Sequence, residues 1–135
     1  MTGLPLISPD VILVVDDEPF VLQVVTAILA RAGYEILQAA SPSEALDIAE
    51  VRRDPIHLFL CDVVLPDLSG PALAERLCRL HPNARCLFMA GLRDHPEIGV
   101  AVARGHAFLP KPFVAGELVR KVREVLAAPR QSCHV

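Results

Sequence analysis

No uncharged apolar run in the chain approaches the roughly 18 residues that a membrane helix needs, so no transmembrane segment is expected. The first ten residues, MTGLPLISPD, carry no Lys or Arg and no sustained apolar stretch, which excludes a signal peptide as their reading. No basic cluster is present either. The 13 Lys and Arg are scattered among 16 Asp and Glu, for a net charge of −3, which argues against nucleic-acid binding through a basic face. The four cysteines (Cys61, Cys78, Cys86, Cys133) form no CxxC and no ligand spacing with histidine. A disulfide scaffold or zinc site is therefore not expected. They read as reduced residues of a cytoplasmic protein, with Cys61 and Cys86 in strands. His57, His81, His95, His106 and His134 are too dispersed for a metal site and suit solvent-facing or hydrogen-bonded roles. No internal repeat, linker or low-complexity segment interrupts the chain.

What is there is one domain's worth of residues, 135 in all and 53% apolar, enough for a single substantial core. Its 12 prolines, well above the usual ~5%, fall between the apolar segments and divide them. Pro19, Pro42, Pro71 and Pro96 stand at helix starts, where a missing N–H costs nothing. VILVV (11–15), IHLFLC (56–61) and RCLFMA (85–90) are short and almost continuously apolar, as strands buried on both faces are. YEILQAA (34–40) is more mixed and AFL (107–109) is brief, which places both at sheet edges.

Between the strands the apolar period is helical. Val21, Val25, Ile28 and Ala32 line one face of the first helix; Leu73, Leu77 and Leu80 line the third. Leu118, Val122 and Val125 line the last helix. Ser41-Pro42-Ser43-Glu44 is a capping box, and Asp94-His95-Pro96-Glu97 repeats its logic for the fourth helix. Gly33 and Gly105 close the first and fourth helices. Five βα units result. They predict an α/β fold with a five-stranded parallel sheet, order 2-1-3-4-5, and helices on both faces, the flavodoxin-like arrangement.

In such sheets ligands bind outside the carboxyl ends of the strands. Strand one ends at Asp16-Asp17, strand three at Asp62 and strand four at Ala90-Gly91, while strand five runs into Lys111-Pro112. Asp17 alone would pass as a helix cap and Lys111 alone as a surface lysine. Together they place three carboxylates and an ammonium on one edge. Carboxylates this close repel one another, and such a cluster usually persists because it holds a cation. Oxygen-only ligands suit Mg²⁺, and the lysine adds a point charge for a phosphoryl oxygen.

Asp16-Asp17-Glu18-Pro19, the D-x-x-L-P-D-x-S-G segment from Asp62 to Gly70, and Lys111-Pro112-Phe113 together resemble the receiver domain of bacterial two-component response regulators (CheY-like). The resemblance spans residue 11 to about 127. It divides the chain into an N-terminal extension (1–10), a receiver domain (11–128) and a C-terminal tail (129–135). It implies that Asp62 is the phosphoacceptor, attacking a phosphohistidine on a histidine kinase or histidine phosphotransfer protein. It also implies that Asp16, Asp17, Asp62 and the backbone carbonyl of Val64 hold Mg²⁺. Lys111 would contact the phosphoryl group, its geometry set by a bond to Pro112 that is commonly cis in the family. Phe108 takes the place of the switch aromatic. The face formed by the fourth helix, the fifth strand and the last helix would meet a downstream protein, in a monomer or weak dimer without direct nucleic-acid contact. The chain would then be a phosphorylation switch rather than an enzyme, limited to self-catalysed phosphoryl transfer and autodephosphorylation.

The sequence departs from the family pattern at Ala90, where Ser or Thr is usual and its hydroxyl donates to the phosphoryl group. A methyl group cannot donate, so coupling to the rest of the fold is expected to be weak or rerouted, with Gly91 leaving room for backbone N–H groups to approach. Val64 and Leu92, two residues beyond Asp62 and Ala90, flank the path of the hydrolytic water by resemblance. Neither side chain can orient a water, which implies slow autodephosphorylation. The alternative supported by Ala90 is a pseudo-receiver, an interaction module working without phosphorylation. An aspartate-nucleophile phosphatase would want a second acid at position 64, and Val64 stands there. A flavin or nucleotide site would want a glycine-rich loop after strand one, and none is present.

Overall fold

Short apolar strands alternate with amphipathic helices in a computed structural model that describes residues 8–91 and 106–128. The elements are β1 (Val11–Val15), α1 (Pro19–Arg31), β2 (Glu35–Ala39), α2 (Pro42–Val51), β3 (Leu58–Asp62), α3 (Gly70–Leu80), β4 (Arg85–Ala90), β5 (Ala107–Pro110) and α4 (Ala115–Ala127). All strand pairings are parallel and the order is β2-β1-β3-β4-β5, as expected. The helix predicted around Pro96, with its start at Asp94 and its stop at Gly105, lies outside the described residues, as does Leu92.

Alternation along the strands sends side chains to two cores, one on each face of the sheet. Leu13, Phe59 and Phe88 pack under α2 and α3, whereas Ile12, Val14, Leu58, Leu60 and Leu87 pack under α1 and α4. Every residue of β1 and β3 is buried, which explains their unbroken apolar character. Among the described residues no helix is long and apolar enough to cross a membrane.

Local chemistry sets the helix ends. The Ser41 hydroxyl accepts from Glu44 N–H at 3.1 Å, and the Glu44 carboxylate accepts in return from Ala40 N–H. Gly33 follows the end of α1 at φ 104°, the left-handed stop that favours glycine. Some details differ from the sequence reading. The buried stripe of α1 is Leu22, Val25 and Leu29, with Val21 and Ile28 only flanking it. Leu80, the last residue of α3, is exposed because the helix has passed the edge of the core there. Glu18 rather than Asp17 is the N-cap of α1. Cys61 and Cys86 are buried free thiols in β3 and β4. Cys78 on α3 is disulfide-bonded, which corrects the expectation that all the cysteines are reduced.

The register levels the carboxyl ends of the strands. Val15 pairs with Cys61, Asp62 with Met89 and Ala90 with Pro110. Asp16, Asp62, Ala90 and Lys111 therefore reach one edge. The loop after β3 turns back tightly, with Gly70 N–H donating to Val63 C=O at 2.7 Å. A Cβ at Gly70 would overlap the carbonyl oxygen of Asp62 and crowd the Cα of Val63. Both are backbone and cannot swing aside. Gly70→Ala is expected to cost about 1–3 kcal/mol, as overpacking against fixed atoms does. Urea denaturation measures this, and an unchanged midpoint would show that the loop can yield.

Candidate functional site

Two carboxylates at this edge lie in the protein interior. Asp16, directly after β1, is 0% exposed, and Asp62, closing β3, is 6% exposed. Each is held by backbone and by one shared cation. Asp16 Oδ1 accepts from Glu18 N–H at 2.9 Å, and Asp62 Oδ1 accepts from Val64 N–H at 3.0 Å. Their other oxygens both accept from Lys111 Nζ, at 3.1 Å for Asp16 and 2.6 Å for Asp62. Lys111 is anchored in turn by its backbone N–H, which donates to Ala90 C=O at 2.8 Å, and its peptide bond to Pro112 is cis.

Asp17 is solvent-exposed, yet one of its oxygens completes a cluster with Asp16 and Asp62 in which the ligand atoms lie within 4.8 Å of one another. Three carboxylates against one ammonium leave the cluster negative. An all-oxygen donor set that is buried on one side and open on the Asp17 side fits Mg²⁺, which keeps part of its water shell.

Burial acts first on Asp62 and pushes its carboxyl above the usual range. The Lys111 hydrogen bond and charge oppose this, as does the Val64 N–H, while the Asp16 charge adds to it. For Lys111 burial alone would lower the pKa. The hydrogen bond and charge of Asp62, followed by those of Asp16, outweigh it and hold the ammonium above its ordinary value. The pair is thus a cation firmly kept and a carboxylate whose ionisation costs the fold free energy.

The other expected residues surround this centre. Ala90 is buried at the end of β4, and its methyl offers no hydrogen bond. Val64 is 45% exposed at the mouth. Phe108, half-buried on β5 opposite Phe88, packs against the core under α2 and α3. Sequence reasoning missed the backbone donors of Glu18 and Val64, because every residue but proline offers an N–H. It also missed an apolar cavity of about 460 Å³ beside Lys111, lined by Phe20, Val21, Val24, Val25, Pro112 and Phe113. The signal for it was in the chain: Phe20, at 76% exposure, and Val24 are apolar residues on the outward side of α1.

Comparison with known proteins shows the family and the fold. Residues 12–123 match the family model described as response regulator receiver domain. The sensor kinase CckA of Brucella abortus (strain 2308) is 34% identical over 125 residues, covering 88% of this chain and 13% of that protein. The probable transcriptional regulatory protein TcrX of Mycobacterium tuberculosis (strain ATCC 25618 / H37Rv) is 34% identical over 121 residues, covering 88% of this chain and 50% of that one. The chain thus spans half or less of the length of these relatives. Among solved structures, a response regulator receiver domain protein (CheY-like) from Methanospirillum hungatei JF-1 is 31% identical with a TM-score of 0.78, over 88% of this chain and 94% of that one.

The raised Asp62 carboxyl has a consequence for stability. The folded protein binds that proton more tightly than the unfolded chain does, so stability falls as pH rises through the folded value. Asp62→Asn removes the ionisation. In EDTA it is expected to be more stable than the wild type near pH 7, with the difference shrinking toward about pH 4. Urea midpoints at the two pH values test this, and equal midpoints at both would contradict it.

Proposed function

The chain belongs to the response regulator receiver domain family of two-component systems, and on that premise we propose that Asp62 accepts a phosphoryl group from a phosphohistidine of a kinase or phosphotransfer protein. The observation that carries the proposal is the ammonium of Lys111, 2.6 Å from Asp62 and 3.1 Å from Asp16, at the edge of a three-carboxylate cluster. A carboxylate oxygen of Asp62 forms the new P–O bond as the donor's P–N bond breaks, and the electron pair returns to the imidazole nitrogen. Transfer of this kind needs positioning and charge neutralisation more than covalent assistance. Lys111 pairs with a phosphoryl oxygen, and Val64 N–H and the β3 backbone keep the acceptor aimed.

Asp16, Asp17, Asp62 and the Val64 carbonyl would hold Mg²⁺, whose bound charge neutralises the phosphoryl oxygens. This is a signalling role, not that of a classical enzyme. We place the receiver unit at 11–128, between the extension 1–10 and the tail 129–135, and a cytoplasmic setting suits a kinase partner. A protein donor would find an apolar surface beside Lys111, formed by Phe20, Pro112 and Phe113. The downstream face would use β5 and α4 together with the helix predicted after β4.

Ala90 favours a second reading, the pseudo-receiver that works without phosphorylation. Intact mass after acetyl phosphate with Mg²⁺ separates the two. One added phosphoryl group, absent in EDTA and in Asp62→Asn, is expected; no adduct from acetyl phosphate or from a kinase donor would leave the pseudo-receiver. Val64 offers no polar side-chain atom to orient a water, so the adduct should decay slowly in the same time course.

The switch itself is expected to be weakly coupled. A hydrogen bond to a charged group contributes ~1.5–3 kcal/mol, and an allosteric coupling amounts to ~1–3 kcal/mol in total. Losing the usual hydroxyl at Ala90 therefore removes an energy of the same size as the coupling. Ala90→Thr should enlarge the phosphorylation-dependent chemical-shift changes at Phe108. Unenlarged changes in a phosphorylated Ala90→Thr protein would mean that the hydroxyl is not what is missing.

A further inference from the structure

Three of the four cysteines lie in the core under α2 and α3: Cys61 on β3, Cys78 on α3 and Cys86 on β4. They differ in chemical state. Cys61 and Cys86 are free thiols, whereas Cys78 is one half of a disulfide. Cys78 and Cys86 are nevertheless in contact, with Sγ to Sγ at 3.8 Å and both side chains buried. A sulfur in a disulfide has no proton to give, so the contact sets the Cys86 S–H against the Cys78 sulfur.

Two buried thiols side by side would be ordinary core filling, since a thiol packs as a small apolar group. A third sulfur against a disulfide is a different arrangement. Exchange proceeds by attack of a thiolate on one sulfur of a disulfide, and it gains most where the attacker already stands near contact distance. Two rigid elements hold that approach. Cys86 pairs with Phe59 in the middle of the β3–β4 ladder, and Cys78 lies on the buried stripe of α3 with Leu73, Ala74 and Leu77. Burial pushes the Cys86 thiol up to about 12, so thiolate is scarce near neutrality and the reaction is slow. The same property favours the exchanged product, because a thiol of high pKa is the stronger nucleophile once ionised and the poorer leaving group afterwards.

We propose that Cys86 is the resolving thiol of the Cys78 disulfide. The Cys86 sulfur forms a bond to Cys78 Sγ as the bond from Cys78 to its present partner breaks. That partner leaves as a thiolate and takes up the proton that Cys86 lost. One disulfide is exchanged for another, and no oxidant or reductant is consumed. The product staples α3 to β4 across the core. Since α3 begins at Gly70, against the Asp62 carbonyl, and β4 ends at Ala90, the staple joins two elements that border the phosphoacceptor.

The test needs no phosphoryl donor. Protein purified without reductant is held at about pH 8, quenched in acid, alkylated in denaturant and digested without reduction. Over minutes to hours, the span of uncatalysed disulfide rearrangement, a Cys78–Cys86 peptide pair should grow in the mass spectra while the total of alkylated thiols stays constant. Cys86→Ala should keep the original Cys78 link and form no new pair, and Cys61→Ala should exchange as the wild type does. A Cys78 link that is absent at the outset, stays unchanged or moves to Cys61 would overturn the proposal. So would a Cys78–Cys86 pair that appears only as thiols are lost, because that is oxidation and not exchange. Should Cys86→Ala not fold, the wild-type time course and its thiol count decide the matter alone.

Discussion

Everything at the functional edge depends on one ammonium shared between two carboxylates that the fold has taken out of water. A buried carboxylate without a partner costs several kcal/mol, and Asp16 and Asp62 are both buried. Lys111 reaches both at once, and this is possible only because β5 ends beside β4, with Lys111 N–H anchored on Ala90 C=O. The parallel sheet is the device that brings this about. Residues 16, 62 and 111 are far apart in the chain and adjacent only because the strand ends are level.

The arrangement is stable without being optimal for stability. Burial raises the Asp62 carboxyl more than Lys111 lowers it, so the charged cluster is a cost carried by the two cores on either side. Functional sites often depart from the stability optimum in this way.

Strands and site side chains are legible in the sequence for different reasons. β1, β3 and β4 stand out because burial on both faces leaves almost no polar position in them, and the prolines mark the helix starts. The face of α1 is harder to select, because PFVLQVVTAILAR is apolar at too many positions for period alone to pick the stripe. Ile56 reads as the start of β3 because it is apolar and buried, but pairing begins at Leu58, and His57 instead turns its ring to the β1 backbone. Asp16, Asp17, Asp62 and Lys111 are legible as a set, since only their joint placement at strand ends distinguishes them from caps and surface charges. The main-chain donors and the tight approach of Gly70 are not. Backbone hydrogen bonds carry no residue signature, and a glycine at a helix start looks the same in sequence whether or not a carbonyl crowds its α-carbon.

Ala90 shows how far side-chain reasoning extends. Read by its side chain, it is a missing hydroxyl and hence a missing link between the site and β4. Its backbone makes that link all the same. The carbonyl of Ala90 accepts from Lys111, Ala90 pairs with Pro110, and two residues earlier Phe88 pairs with Phe108. The bond from Lys111 to the Ala90 carbonyl is thus made whatever side chain stands at position 90. The methyl group leaves the main-chain connection between β4 and β5 in place. The bond from Lys111 to Ala90 is common to the site and to the sheet.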